Sequence, residues 1–185
     1  MKQHQISINN LEFQAIELED HRMKWLFEFE EGIPPSKEHR DQIWALNKKA
    51  AKYLWDYEGK MRIGIFYPEI GKYFKNVIEY EDKERKEKEL KKWLFNLGIP
   101  FKHKVFISFQ PDSGFILTWK MVIKYCSKLF FAYDLILFDK SLNWGLFYHH
   151  DELFHFGKNR IYNAEIEGQK ILRDANLIAE WKKKI

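Results

Sequence analysis

Residues 104–158 read KVFISFQPDSGFILTWKMVIKYCSKLFFAYDLILFDKSLNWGLFYHHDELFHFGK and hold the densest apolar and aromatic run of the chain. The opening KVFISFQ, residues 104–110, is rich in aromatic and β-branched side chains, which predicts a strand. After Pro111-Asp112, residues 113–130 place Phe115, Trp119, Val122, Ile123, Cys126, Leu129 and Phe130 at helical spacing, with Asp112 or Ser113 available to cap the first amides. Two strands are expected over 134–139 and 142–150, joined at Lys140-Ser141, and a third over 153–157 across Asp151-Glu152. Short turns between consecutive strands imply antiparallel pairing.

On the N-terminal side, 11–19 and 22–30 form two apolar segments separated by Asp20-His21 and predict a hairpin, which Gly32-Ile33-Pro34-Pro35 then interrupts. Ile43, Leu46, Ala50, Tyr53, Leu54 and Tyr57 recur at three- and four-residue steps behind Ser36, predicting an amphipathic helix over 37–56. Residues 60–67 alternate as a strand does and stop at Pro68. Residues 69–80 fit a helical face and a strand equally, so their state stays open. The run 81–97 is rich in helix formers, with Asp82 as cap and Gly98 and Pro100 as terminators. A last helix is expected over 164–184, ending in three lysines that complement its dipole. Helices interspersed with hairpins give an α+β fold: a largely antiparallel sheet with several helices packed against it, in a single domain spanning 1–185.

Composition narrows the function. With 185 residues, 45% hydrophobic and 31% charged, the chain can bury one sizeable core. Its net charge is +4, but acids and bases interleave, so no basic arm of the kind that grips nucleic acid exists, and a nucleic-acid partner is unsupported. No apolar run approaches the roughly 18 residues of a membrane span, and the N-terminus lacks a leader-like apolar core; a cytoplasmic protein with no membrane partner is expected. A single cysteine, Cys126, excludes an intramolecular disulfide and falls where a small buried hydrophobe belongs. The chain lacks a Gly-rich phosphate loop and a G-x-S-x-G elbow, and the neighbours of Cys126, Tyr125 and Ser127, do nothing to lower its pKa, so no catalytic residue is assigned. Asp134 and Asp139 bracket an apolar strand and suit turn capping.

The sharpest cluster is His149-His150-Asp151-Glu152 with His155, residue types that ligate zinc and related metals. If Asp151-Glu152 is a two-residue turn, Tyr148 pairs with His155 and His150 with Leu153, so His150 and His155 share a face while His149 points away. Two imidazoles alone do not make a site, and no metal and no cofactor is assigned; the alternatives are a metal-dependent enzyme built on the 149–155 region or a nucleic-acid-associated module. On the same register Trp144, Tyr148, His150 and His155 line one face of the hairpin and Phe147, His149, Phe154 and Phe156 the other. One face must pack inward. The expected partner-binding surface is Trp144, Tyr148, His149, His150, Asp151, Glu152 and His155, in residue types enriched at protein interfaces.

Over residues 113–157 the chain resembles the C-terminal part of immunity proteins of bacterial polymorphic-toxin systems. The likeness lies in a helix followed by a strand, a D-x-S-x-x-W turn at Asp139, Ser141 and Trp144, a strand ending in His149-His150 with acidic Asp151 beside it, and a short return strand. The resemblance implies a non-enzymatic, cytoplasmic protein that binds a cognate toxin and blocks its active site. With the chain at +4, it implies either a toxin that is not a basic nuclease, or a local acidic patch at Glu28, Glu30 and Glu31 or at Asp151 and Glu152.

Overall fold

The computed structural model describes residues 5–28, 32–61, 69–131, 133–163, 166 and 169. Its frame is one eight-stranded sheet built from β1 (Ala15–Ile16), β2 (Ile43–Leu46), β3 (Phe74–Glu81), β4 (Lys104–Gln110), β5 (Ser113–Thr118), β6 (Leu135–Phe138), β7 (Trp144–His149) and β8 (Leu153–Arg160). The strand order is β1-β2-β5-β4-β6-β7-β8-β3 and neighbouring strands run antiparallel. Helices α1 (Lys37–Arg40), α2 (Lys48–Met61), α3 (Glu87–Asn96), α4 (Trp119–Lys124) and α5 (Cys126–Leu129) complete an α+β fold.

Side chains alternate across the sheet and so build two unequal cores. On one face Val105, Ile107, Phe115, Leu117, Leu137 and Leu146 pack beneath α3, α4, α5 and the 3-10 turns 18–20 and 24–27. Trp119, fully buried, meets Trp144 edge-on at 6.0 Å. On the other face α2 lays Ala50, Ala51 and Leu54 over Phe106, Ile116 and Phe138. Beside α2, two facing glycines, Gly145 and Gly157, leave a hollow that the Phe74 ring fills. A Cβ at Gly157 would come within 2.5 Å of that ring.

Several sequence expectations are corrected. Residues 113–118 are the strand β5 and not the start of a helix; a fully buried strand shows a continuous apolar run, which helical spacing can imitate. The helix expected over 37–56 is split. Residues 43–46 pair with β5, and α2 begins only after Asn47, whose side chain accepts from the Ala50 amide at 3.0 Å. Where the sequence predicts a hairpin over 11–30, the described residues 11–28 form a series of 3-10 turns around the two-residue β1, because Met23, Leu26 and Phe27 reach the core at three- and four-residue steps. Helix α3 starts at Glu87, with Asp82 accepting from the Lys86 amide at 3.1 Å in the turn before it. Residues 74–81, left open by the sequence, are β3. Lys60 and Met61 end α2; the rest of the expected 60–67 strand, and the 164–184 helix apart from the helical positions 166 and 169, lie outside the described residues. Among the described residues no helix is long and apolar enough to cross a membrane.

Candidate functional site

The β7–β8 connection decides the site. His149 pairs with Leu153, Tyr148 with Phe154 and Phe147 with His155, so the loop is three residues, His150-Asp151-Glu152. Glu152 closes it with φ of +67° and donates its amide to the His149 carbonyl at 2.9 Å. This register is one residue away from the two-residue turn that the sequence suggested: the faces within β7 stay as expected, but each β8 side chain changes face relative to them and His150 leaves the strand. Trp144, Tyr148, Phe154 and Phe156 turn into the larger core, while Phe147, His149 and His155 occupy the opposite side.

Trp144, Tyr148 and His155 are therefore buried and not part of an accessible surface. Burial holds the His155 imidazole below its ordinary pKa, and its Nδ1 lies 3.4 Å from the Glu79 carboxylate. His149, His150, Asp151 and Glu152 remain reachable at the tip. They are joined by Asp134, one residue ahead of β6. Its Oδ1 accepts from the backbone amide of His150 at 2.9 Å and pairs with His150 Nδ1 at 2.8 Å. The bond to Asp134 raises the His150 pKa; burial would raise that of Asp134, but its bonds from His150 prevail and lower it. The His149 and His150 rings lie 4.2 Å apart at 33°, and Asp151 Oδ2 is 3.3 Å from His149 Nδ1.

Around this tip are groups that sequence reasoning did not connect to it. Arg85 pairs with Glu152 and stacks over the Phe131 ring at 5.1 Å. Phe131 and Tyr133 are 53% and 41% exposed, high for large rings on a sheet-supported surface. The cleft between Arg85, Phe131 and Glu152 encloses about 40 Å³, room for water and not for a substrate. The register could have revealed Asp134: with Leu135 opposite Tyr148, the residue before β6 falls beside the end of β7.

The other end of β6 carries a second histidine–aspartate pair. His103 Nε2 lies 2.7 Å from Asp139 Oδ2, which also accepts from Trp144 Nε1 at 2.8 Å. Asp139 Oδ1 accepts from the Ser141 amide at 2.8 Å and from Ser141 Oγ at 2.5 Å. Burial works against ionisation, but the bonds from Ser141, His103 and Trp144 outweigh it and hold the Asp139 carboxyl below the ordinary carboxylate range. The order is His-Asp-Ser, with serine and histidine on opposite oxygens of the carboxylate. A nucleophile needs its base at the hydroxyl, so this is a turn anchor and not a triad. Cys126 is buried, and burial pushes its thiol up to about 12, which removes it as a nucleophile at neutral pH.

No family model, no curated protein and no solved structure matches the chain. The geometry therefore has to carry the functional reading. What it offers at the β6–β7–β8 tip is an exposed group of two aromatic rings, two imidazoles and paired charges, carried on the residues that lead into β6 and on the loop that joins β7 to β8.

Proposed function

We propose that the chain is a cytoplasmic, non-enzymatic binding protein of the immunity type, which docks a cognate toxin on the β6–β7–β8 tip. The observation that carries this reading is the exposure of Phe131, which lies under Arg85 in the cleft shared with Glu152, and of Tyr133, one residue before the Asp134 that holds His150. Aromatic anchors ringed by polar groups are what hot spots at protein interfaces are made of. Asp134 and the hydrogen-bonded His150-Asp151-Glu152 loop hold the histidine side of this surface in place before binding, which lowers the ordering cost of association. The motif at Asp139, Ser141 and Trp144 that carries the resemblance plays a supporting part, anchoring the opposite end of β6.

Co-expression with the toxin encoded by the neighbouring gene tests the reading. The expected result is a 1:1 complex that restores growth, weakened by Phe131→Ala and Tyr133→Ala by about 1–3 kcal/mol each. Absence of both complex and protection would remove the immunity assignment. A complex indifferent to both substitutions would move the docking surface elsewhere.

A further inference from the structure

We propose that Asp134, His149 and His150 form a binding site for a single first-row divalent cation of the zinc class. One ligand atom from each residue lies within 4.8 Å of the other two, and one edge of the triangle, Asp134 Oδ1 to His150 Nδ1, is already 2.8 Å. At metal–ligand distances of about 2.0–2.1 Å, the ligand atoms of a tetrahedral site stand roughly 3.4 Å apart. Closing the remaining edges takes shifts of about an ångström, small for side chains at a solvent-facing tip. The His149 and His150 side chains are 35% and 57% exposed, so both rings border solvent.

The three-residue loop is what makes the site possible. A two-residue turn would set the imidazoles of His149 and His150 on opposite faces; instead Glu152 takes the left-handed conformation, His150 leaves the strand, and the rings come to 4.2 Å. Asp134 fixes His150 through both its backbone amide and its ring, so the second imidazole is oriented before any ion arrives. Asp151 places a further carboxylate oxygen 3.3 Å from His149 Nδ1, on the His149 side of the site. Two imidazoles with carboxylates suit Zn²⁺, Ni²⁺ or Cu²⁺ and not Mg²⁺, which prefers an all-oxygen shell. On binding, the proton shared by His150 and Asp134 leaves to solvent and the cation takes its place.

The site is independent of the docking proposal, since it needs no partner. Isothermal titration of the full chain with Zn²⁺ in a non-chelating buffer is expected to give one equivalent. Asp134→Ala, His149→Ala and His150→Ala should each weaken binding at least about tenfold, whereas His103→Ala at the far end of β6 should leave it unchanged. Ring resonances of His149 and His150 should shift on titration while that of His155 stays in place. Absence of stoichiometric uptake, binding unaffected by the three substitutions, or an equal loss on His103→Ala would each overturn the proposal.

Discussion

At the start of β6 Asp134 faces His150, and at its end Asp139 faces His103, yet the two carboxylates are spent differently. Asp139 accepts four hydrogen bonds, two on each oxygen, which fills its lone pairs. Among the described residues, the bonds of Asp134 fall on Oδ1 alone. The saturated carboxylate sits under Trp144 and holds the fold; the unsaturated one stands at an open tip where a ligand can still use it. Saturation and burial, more than residue type, separate a structural His–Asp pair from one with chemistry to offer.

The contrast can be broken most directly at Asp139. Asp139→Ala strands the buried Trp144 N–H and should cost about 3–5 kcal/mol in urea denaturation, with little effect on the surface at the other end. A loss under about 1 kcal/mol would erase the distinction.

Glu58 shows what burial does without saturation. It sits on the inner face of α2, Oε2 lacks a hydrogen-bond partner among the described residues, and burial, only partly offset by Ser108, pushes its carboxyl up to about 7. Because the folded pKa exceeds the unfolded one, the native state binds the extra proton, and stability falls as pH rises from the ordinary value toward 7. Glu58→Gln should remove that slope, a relative gain on the order of 3 kcal/mol at pH 8 over pH 4. His21, buried against Phe115 and lowered to about 4 by burial, acts in the opposite sense: stability is lost as pH falls below its unfolded value toward 4. Comparing wild type with Glu58→Gln at each pH cancels the histidine.

A smaller effect tests the anchor one bond at a time. Trp144→Phe keeps the ring in the core and deletes one donor to Asp139, for an expected loss of about 1–2 kcal/mol by thermal unfolding. The smallest belongs to the exposed pair: Asp134→Asn should leave stability within about 0.5 kcal/mol. The pairing of His150 with Asp134 is complete below the unfolded histidine pKa and fades as pH rises through the raised folded value. Asp134→Asn should therefore bring the His150 titration, followed by NMR, down toward its ordinary range.

The strands β4, β6, β7 and β8, the helix ended by Gly98, and the antiparallel α+β class were legible because alternation and turn residues act locally. Strand β5 was not, since GFILTW satisfies both a buried strand and a helical face, and only pairing with β2 and β4 decides. Nor was strand β2, whose apolar residues continue the period of the helix behind it. The tip was half legible: its residue types stood out, but its geometry hung on whether Glu152 would accept a left-handed backbone, a choice more usual for glycine or asparagine.

The Phe74 ring seated on Gly145 and Gly157 also bears on how the molecule avoids its own kind. Among the described residues β3 is one of the two edge strands of the sheet, and its exposed positions include Lys75, Glu79 and Glu81. Charged edges discourage a second sheet from adding to the first. If a side chain larger than hydrogen at position 157 expelled the ring, β3 would loosen and the edge would pass to β8, whose Phe154, His155 and Phe156 carry no such charges. One aromatic ring in a glycine hollow thus helps keep the apolar middle of β8 paired inside the sheet and away from its edge.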